Sequence, residues 1–326
     1  MNLSEKEAMH AATQIMEGTL TEVEVATLLS LLATKGECYQ EISGFAKVMR
    51  EKAIRINRPV GQKIIDVVGT GGDGHSTINV STLAAIVVAG TGLLVAKHGN
   101  RAVSSESGSA DVLEALGVNI STEPKRTEEI LAETGIAFLF AQKLHLAMKN
   151  VAPIRKQMGI RTIFNLLGPL TNPACPDALI LGVYSKEYIQ LMIKALASMG
   201  VEEAIVVHSA DGMDEISISD KTYYAHIKDN KITEGIILPE DVIGKRYDLA
   251  DIKAGDAKDN AAIAIRLLKG DVSGAKKEVV LINAGAAIMV AGKATSIKEG
   301  YAIAKTSLES GNAYQKLQDF IKASNA

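Results

Sequence analysis

A glycine-rich turn at residues 69–74 is the segment of this chain best suited to chemistry. It follows an apolar, β-branched run at Ile64–Val68 and leads into a stretch that contains the small polar residues Asn79, Ser81 and Thr82. A strand that ends in such a turn and continues into a helix points bare backbone N–H groups at an anion. The sequence therefore predicts a phosphate-binding loop.

Two well-known glycine loops can be tested against the neighbouring residues. A nucleoside-triphosphate loop requires a Lys after its last glycine, and no Lys occurs between residues 69 and 82. The spacing Gly69-x-Gly71-x-x-Gly74 satisfies the dinucleotide pattern, but that pattern needs an acidic residue about 20 positions later to bind a ribose hydroxyl. The next predicted strand leads instead to a basic run at residues 97–101. A nicotinamide cofactor is therefore not expected.

Asp73 lies inside the glycine loop, where its carboxylate would repel phosphate oxygens. A divalent cation or a ribose hydroxyl between the two groups would remove this repulsion. Mg²⁺ is commonly bound by one or two carboxylates together with the phosphates of a substrate. The loop therefore favours a phosphosugar bound with Mg²⁺.

Charged side chains also follow two other predicted strands. Lys97, His98 and Arg101 follow the second strand, and the adjacent carboxylates Asp214 and Glu215 follow a later one. Each group alone is explained at least as well by a solvated surface loop. Beside a phosphate loop, however, the cations would bind a polyanionic phosphosugar, and the carboxylate pair would bind a metal ion.

The elements that must position these groups fall into two parts. Residues 1–62 are helical in pattern, with capping-box spacings at Ser4-x-x-Glu7 and Thr21-x-x-Glu24 and a third helix at about 41–55. From residue 63 to residue 326, short apolar runs alternate with helical stretches, then give way to an alternating, antiparallel pattern and to further helices. The predicted strands are Ile64–Val68, Leu93–Ala96, Ala137–Phe140, Ala178–Val183 and Ala204–His208 in the parallel part, and Ile216–Ser219, Tyr223–Ile227 and Ile232–Ile237 in the antiparallel part.

This pattern predicts the fold class α/β. A small N-terminal all-helical domain precedes a large, doubly wound, mostly parallel α/β domain with an antiparallel portion. Ligands of such a sheet bind at the carboxyl ends of its strands. The glycine loop, the basic run and the acidic pair all follow strands, so we expect them to converge there.

Composition and charge argue against several classes of protein. The 326 residues are 47% hydrophobic and 22% charged, which is typical of a globular enzyme, and the net charge of −3 gives no general attraction to nucleic acid or to an anionic membrane. The N-terminus has no signal-peptide pattern, and the longest apolar run is interrupted at Gly90 and Gly92. Cys38 and Cys175 have no metal-ligand spacing. We therefore expect a reduced, cytoplasmic protein with no membrane or nucleic-acid partner.

Six short motifs occur in order between residues 69 and 287. They are Gly69-Thr-Gly-Gly-Asp-Gly, Asn79-Val-Ser-Thr82, Lys97-His-Gly-Asn-Arg-Ala-Val-Ser-Ser105, Ser107-Gly-Ser-Ala-Asp111, Asn165-Leu-Leu-Gly-Pro-Leu-Thr-Asn172 and Asn283-Ala-Gly-Ala-Ala287. Each motif is modest alone, but the ordered set is specific. Over nearly its whole length the chain resembles the anthranilate phosphoribosyltransferase family.

The resemblance implies an activity and an architecture. The activity is transfer of the phosphoribosyl group from 5-phosphoribosyl 1-diphosphate to anthranilate, which gives N-(5-phosphoribosyl)anthranilate and diphosphate in tryptophan biosynthesis, with Mg²⁺ as cofactor. The family is usually a homodimer joined through its helical domain. The resemblance also implies that residues 143–172 complete the helical domain and that the active site lies in the cleft between the two domains.

The resemblance further implies a set of site residues. The residues expected to contact phosphoribosyl diphosphate are Gly69, Gly72, Asp73, Thr77, Asn79, Val80, Ser81, Thr82, Lys97, His98, Gly99, Asn100, Arg101, Ala102, Val103, Ser104, Ser105 and Ser109. Anthranilate would be bound by Gly69, Asn100 and Arg155, and Mg²⁺ by Ser81, Asp214 and Glu215. No dedicated catalytic nucleophile is expected, because positioning and electrostatics, with assistance from Lys97, would carry the rate.

The chain also departs from the family pattern at Ile78, Glu106, Gln142 and Leu146. The last two lie in the acceptor region, where His98 and His145 are expected to line the entry path. Three alternatives therefore stay open: a transferase for another aromatic amine, a pyrimidine-nucleoside phosphorylase-like enzyme, and a non-catalytic nucleic-acid-binding paralogue. The missing lysine-bearing glycine loop argues against the phosphorylase, and the net negative charge argues against the nucleic-acid binder.

Overall fold

The computed structural model describes residues 2–102 and 107–326. The helices are α1 (Glu5–Glu17), α2 (Glu22–Lys35), α3 (Tyr39–Lys52), α4 (Val80–Ala89), α5 (Ser109–Ala115), α6 (Pro124–Thr134), α7 (Ala141–Leu144), α8 (Ala152–Met158), α9 (Phe164–Leu167), α10 (Tyr188–Ser198), α11 (Pro239–Ile243), α12 (Ala257–Leu268), α13 (Ala275–Val290), α14 (Ile297–Glu309) and α15 (Asn312–Ser324). Short 3₁₀ helices span Leu146–Asn150, Gly168–Leu170 and Leu249–Ile252. The strands are β1 (Ile64–Gly69), β2 (Leu94–Gly99), β3 (Ile136–Phe140), β4 (Ala178–Gly182), β5 (Glu203–Ser209), β6 (Thr222–Lys228) and β7 (Lys231–Ile237).

The first two helices begin where the sequence predicts. Ser4 and Thr21 each accept a hydrogen bond from a backbone N–H of the first turn, and Glu7 and Glu24 each accept one back from the cap residue. Both capping boxes are therefore confirmed. Helix α1 then ends at Gly18, which adopts the left-handed conformation with φ of 70°. The third predicted helix is also confirmed, but α3 begins and ends two to three residues earlier than expected.

One seven-stranded sheet organises the rest of the chain. Its order is β3-β2-β1-β4-β5-β6-β7, with the first five strands parallel and the last two antiparallel. The chain winds outward from β1 to one edge and returns to place β4 on the other side of β1. This is the topological switch point at which doubly wound sheets bind ligands. The predicted fold class is confirmed.

The antiparallel portion differs from the prediction in one element. The hairpin of β6 and β7 is confirmed, and Asp229 and Asn230 make its turn with φ of 50° and 58°. The strand predicted at Ile216–Ser219 is wrong, because this segment is a buried loop without a strand partner in the described chain. The side chain of Asn283 accepts a hydrogen bond from Ile216 N at 2.9 Å and donates one to Ile216 O at 2.9 Å. Asn283 therefore satisfies the backbone of Ile216, while Ser217 N donates to Thr222 Oγ1 and Ile218 O accepts from Tyr247 N.

Helices cover both faces of the sheet. Alternate residues of β4 show this, because Ile180 packs into one apolar core with α4 and α13, while Leu179 and Leu181 pack into the other. The second core continues through α10 into α1, α2 and α3 and includes Ile154 of α8 and Phe164 of α9. The N-terminal helices thus share a core with one sheet face. The domain boundary near residue 62, and the assignment of residues 143–172 to the helical domain, stay predictions.

No helix in the described ranges combines the length and the apolar character needed to cross a lipid bilayer.

Candidate active site

The glycine loop lies where β1 ends, beside the end of β4. A side chain at Gly69 would collide with the carboxylate of Asp214, and one at Gly182 of β4 would overlap the Asp214 backbone. Two bare strand ends therefore allow the chain at Asp214 to lie directly against the sheet. Gly71 N donates a hydrogen bond of 2.7 Å to Asp214 Oδ2, so the loop and the acidic pair are in contact.

Three glycines give the loop its course. Gly71, Gly72 and Gly74 have φ of 65°, 78° and 81°, values that residues with a side chain adopt only at a cost. Asp73 lies between them, and its carboxylate accepts a hydrogen bond of 3.1 Å from His75 N. Thr70 N and Gly71 N already donate to Gly182 O and Asp214 Oδ2, so an anion would be bound by the N–H groups that follow them in the loop.

The acidic pair is enclosed by the loop and by the start of α4. Asp214 is buried, Glu215 is partly buried, and Ser81 N donates to Glu215 Oε1 at 3.2 Å. Loss of hydration and repulsion from Asp73 raise the pKa of Asp214 to about 7. Loss of hydration, with Asp214 and Asp73 nearby, likewise raises the pKa of Glu215 well above its usual range. Three carboxyl groups in one place require a positive partner to be ionised together.

The donor set suits Mg²⁺. A small cavity is lined by Ser81, Asp214, Glu215 and Asn283 together with Val67, Val68, Ile180, Gly182 and Val207. Ser81 and the two carboxylates offer oxygen ligands there, whereas Asn283 Oδ1 already accepts a hydrogen bond from Ile216 N. Mg²⁺ prefers hard oxygen ligands and usually keeps several waters or substrate phosphates. Within residues 2–102 and 107–326, no group of three or more His, Cys, Asp or Glu side chains is arranged to hold a metal ion by itself. The residues therefore fit an ion whose coordination a phosphate ligand completes.

Lys97 brings a positive charge to the same place from β2. Its buried Nζ donates to Val67 O at 2.8 Å and to Ser81 Oγ at 3.2 Å. Burial lowers the pKa of Lys97 to about 8, and the nearby Asp66 carboxylate opposes that shift. The ammonium group thus lies between β1 and the first turn of α4.

The buried Asp66 carboxylate lies close enough to Lys97 to stabilise its positive charge, and Asn172 holds Asp66 in place. The sequence analysis did not predict a role for Asp66. Asn172 Nδ2 donates to Asp66 Oδ2 and to Ala96 O, both at 2.8 Å, and His98 N donates to Asp66 Oδ1 at 3.3 Å. Burial raises the pKa of Asp66 to about 6, although Lys97 lowers it. A charged residue inside a predicted strand is the signal that could have identified it.

His98 and His145 face each other instead of lining an open path. Their Nε2 atoms are 3.1 Å apart, and both side chains are buried. His98 Nδ1 lies 3.2 Å from Gly168 O, and because a carbonyl oxygen only accepts hydrogen bonds, Nδ1 must carry the proton. Burial lowers the pKa of His145 to about 4 and, together with His145, holds the pKa of His98 well below its usual range.

The remaining residues of the predicted basic run have defined partners. Arg101 Nη1 lies 3.0 Å from Asp111 Oδ1 and 2.8 Å from Glu114 Oε2, so its charge is already balanced. Asp111 also accepts hydrogen bonds from Ala102 N and Gly108 N at 2.9 and 3.0 Å. Asp111 therefore holds Ala102 and Gly108 close to the start of α5. The predicted donor contacts Val103, Ser104 and Ser105, and the departure at Glu106, lie outside the described residues.

Close packing fixes the end of β2 and the residues that follow it. A side chain at Gly99 would collide with Ser109 Oγ and the ring of Phe138. Ser109 Oγ donates to Asn100 O at 3.4 Å, and Gln142 Nε2 donates to Asn100 Oδ1 at 3.2 Å. Gln142, a departure from the family pattern, therefore contacts a residue predicted to bind both substrates.

The predicted contacts at residues 77–82 form the entry to α4. Asn79 is the N-cap and accepts a hydrogen bond of 3.3 Å from Thr82 N, and Val80 is the first residue of the helix. Thr77 pairs with Lys253, and the departure Ile78 is buried, with its N–H donating to Ile252 O at 2.9 Å. The first N–H groups of α4 are already used, because Val80 N donates to Ile78 O, Ser81 N to Glu215 Oε1 and Thr82 N to Asn79 Oδ1.

Arg155 lies on α8, on the side of the site formed by the helical region. Its guanidinium stacks over the ring of Phe164 at 5.4 Å, and Nη2 donates to Asn165 Oδ1 at 3.4 Å. Burial lowers the pKa of Arg155. Leu146, the other departure in the predicted acceptor region, is 57% exposed.

Comparison with known proteins identifies the family. Residues 61–314 match the model of the glycosyl transferase family a/b domain, and residues 1–53 match that of the helical bundle domain of the same family. An anthranilate phosphoribosyltransferase of Rubrobacter xylanophilus is 48% identical over 322 residues, which cover 99% of this chain and 94% of that relative. The chain belongs to the anthranilate phosphoribosyltransferase family.

Solved structures of anthranilate phosphoribosyltransferases have the same fold. The enzyme of Thermus thermophilus superposes with a TM-score of 0.95 at 44% identity, covering 100% of this chain and 97% of that one. The enzyme of Saccharomyces cerevisiae, solved in complex with PRPP and Mg, has a TM-score of 0.90 at 31% identity, covering 99% and 94%. The recognition made from the six sequence motifs is confirmed.

The buried histidine pair predicts how stability depends on pH. Because the pKa of folded His145 is about 4 and that of a free His is about 6.5, the unfolded chain binds the proton first as the pH falls. When the pH falls from 7 to 5, His145 alone should therefore lower the free energy of unfolding by roughly 2 kcal/mol. His145→Gln should reduce the loss by that amount, as measured by urea unfolding at both pH values. The exposed His10→Gln is the control, and an unchanged pH dependence in His145→Gln would contradict the prediction.

Proposed function

We propose that the protein transfers the phosphoribosyl group of 5-phosphoribosyl 1-diphosphate to the amine of anthranilate. The products are N-(5-phosphoribosyl)anthranilate and diphosphate, in the second step of tryptophan biosynthesis from chorismate. The observation that carries the proposal is the convergence of three groups at the carboxyl ends of the central strands: the glycine loop, Lys97 and the Asp214–Glu215 pair. Membership of the family over 99% of the chain supports it. No contact among the described site residues favours the phosphorylase or the nucleic-acid-binding alternative.

The donor would bind over the glycine loop and the start of α4. We assign its contacts to the residues that the resemblance implies, namely Gly69, Gly72, Asp73, Thr77, Asn79 to Thr82 and Lys97 to Ser105 with Ser109. The backbone N–H groups of the loop would bind phosphate oxygens. Mg²⁺ would be held by Ser81, Asp214 and Glu215. When bound, it supplies positive charge that neutralises the departing diphosphate.

The acceptor would bind between the end of β2 and α8. A planar guanidinium such as that of Arg155 forms paired hydrogen bonds with a carboxylate, so Arg155 would orient the acid group of anthranilate. Asn100 and the backbone at Gly69 would then place the amine near the sugar. The contact of Gln142 with Asn100 makes this residue part of the acceptor wall.

The chain then needs only to position the reactants and to stabilise charge. As the bond from the sugar to diphosphate loosens, the Lys97 ammonium stabilises the departing negative charge. The aromatic amine attacks from the opposite face with inversion at the sugar carbon, then loses its proton. Since an aniline nitrogen is already neutral at pH 7, no general base is required before attack, and correct placement supplies most of the rate.

The same proposal covers the organisation of the protein. We infer that residues 1–62 with 143–172 form the helical domain, and that the rest of residues 63–326 forms the domain that binds phosphoribosyl diphosphate. We also infer a cytoplasmic homodimer joined through the helical domain. The exposed side chains of Val23 and Leu31 on α2, 76% and 62% accessible, support an interface on that helix.

The assay of the reaction is fluorimetric. Anthranilate emission should fall only when phosphoribosyl diphosphate and Mg²⁺ are both present, and a constant signal with active donor would reject the proposal.

Asp214→Asn should lower kcat by roughly 100-fold and reduce the dependence on Mg²⁺, because the metal loses one of its two carboxylates. The exposed Asp271→Asn, which removes the same charge far from the site in sequence, is the control. Wild-type turnover in Asp214→Asn would disprove the metal assignment.

Arg155→Ala tests the acceptor clamp. It should raise the KM for anthranilate by roughly 10- to 100-fold, the range expected for a lost charged hydrogen bond, while the KM for the donor stays within about threefold. The exposed Lys156→Ala on the same helix is the matched control. Equal effects on the two KM values would show that Arg155 acts through the structure of the cleft instead of through anthranilate.

The proposed dimer is tested by light scattering. The wild-type chain should have about twice the monomer mass of 34.5 kDa. Val23→Glu with Leu31→Glu should give a folded monomer, because two charges would be buried at the interface. A monomeric wild type, or a dimer in the double variant, would contradict an interface through α2.

A further inference from the structure

We propose that Arg161 is a positioning residue that fixes the glycine loop. It would also couple the loop to the helical region, by which we mean α1 to α3 with α8 and α9, which share one apolar core. The inference rests on the proposed function, because it concerns how the donor-binding loop is held. Arg161 follows α8 and lies outside every motif that the sequence singled out for donor binding. Its side chain nevertheless reaches across 89 positions of the chain to the glycine loop.

Two contacts define the position of the guanidinium. Arg161 Nη2 donates a hydrogen bond of 2.7 Å to Gly72 O, and the guanidinium lies 4.1 Å from the ring centre of Tyr184. A side chain at Gly72 would place its Cβ 3.2 Å from Nη2, so the bare glycine also allows this approach. Tyr184 in turn touches the loop, because its N–H donates to Thr70 Oγ1 at 3.1 Å. Arginine and ring therefore form one wall beside the loop.

The hydrogen bond to Gly72 O sets the orientation of a peptide group. In a planar trans peptide the C=O and the following N–H point in opposite directions. With Gly72 O held by Arg161, the N–H of Asp73 must point away from Arg161. Gly72, on the N-terminal side of this unit, has few steric limits on its dihedral angles, so an external contact helps to select one orientation of the peptide.

Other elements fix the preceding peptide groups of the loop. Thr70 N donates to Gly182 O at 2.9 Å, and Gly71 N donates to Asp214 Oδ2 at 2.7 Å. The loop is thus held by β4, by the acidic pair and by Arg161. Of these three contacts, the third comes from the side of the helical region, which makes Arg161 the link between that region and donor binding.

Hydrogen bonds and apolar packing hold the backbone that follows Arg161. Thr162 N donates to Asn165 Oδ1 at 3.0 Å, and Asn165 N donates to Thr162 O at 2.8 Å, which closes a tight turn. The next residue, Ile163, is fully buried, and the Phe164 ring packs edge-on to Phe45 of α3 at 5.9 Å. The same Asn165 Oδ1 accepts from Arg155, so one turn carries both the proposed acceptor clamp and the loop contact.

A surface arginine with one hydrogen bond would ordinarily contribute little to structure. Here the contact acts on a flexible glycine loop, so its loss should increase local motion without unfolding the protein. The expected consequence is weaker donor binding with little change in anthranilate binding.

The first experiment measures loop motion directly and needs no turnover. In Arg161→Met without substrates, amide hydrogen exchange of peptides covering residues 70–78 should be roughly threefold faster or more, with the rest of the chain unchanged. Arg161→Lys retains a donor for Gly72 O but loses the flat stacking on Tyr184. Its exchange rate over residues 70–78 should therefore lie between those of Arg161→Met and the wild type. The exposed Arg266→Met on α12 is the matched control. Wild-type exchange in Arg161→Met would overturn the inference.

The second experiment measures substrate binding in the same variants. Arg161→Met should raise the KM for phosphoribosyl diphosphate by roughly fivefold to tenfold, with the KM for anthranilate and kcat within about twofold. A selective rise in the KM for anthranilate would place Arg161 in the acceptor site and overturn the inference. Absence of turnover in the wild type would instead reject the proposed function, and the exchange measurement would still decide the role of Arg161.

Discussion

Burial of negative charge at the switch point of the sheet is the constraint on which the rest of the site depends. Asp214 and Glu215 follow β5 and lie against the ends of β1 and β4, with Asp73 close by. Carboxyl groups so close together, and largely removed from water, are costly to ionise without a cation. Their raised pKa values express this cost. A bound divalent ion would lower the cost of ionising Asp214 and Glu215. Binding of the ion and loss of protons from these carboxyl groups are therefore coupled.

The surrounding residues are arranged to make that burial possible. Gly69 and Gly182 leave room for the Asp214 backbone, and Lys97 brings a positive charge to within hydrogen-bonding distance of Ser81. Lys97 is itself stabilised by Asp66, which Asn172 holds in turn. Lys97 therefore lies between the Asp66 carboxylate and the acidic cluster of Asp214, Glu215 and Asp73. Neutral replacement of Lys97 would leave both sides with less compensation of buried negative charge.

Much of this arrangement could be predicted from the sequence because it follows from local rules. Capping boxes set the starts of α1 and α2, continuous apolar runs indicated the parallel strands, and the glycine loop indicated an anion. The failures have a common cause in tertiary contacts. Ile216–Ser219 has the alternation of a strand, but side chains and loops bond its backbone instead, with Asn283, 67 residues away, binding Ile216. The pairing of His98 with His145, the buried position of Asp66 and the reach of Arg161 to Gly72 likewise depend on residues far apart in the chain.

The shared core between the first three helices and one sheet face has a mechanical consequence. Leu29 of α2 and Phe45 of α3 belong to the same apolar cluster as Leu181 of β4 and Met192 of α10. Cutting the chain at residue 62 would expose the side of α10 that packs against α3 to water, while the core on the other face of the sheet would stay closed. Any movement of the first three helices relative to the sheet would therefore have to slide or open this shared apolar contact.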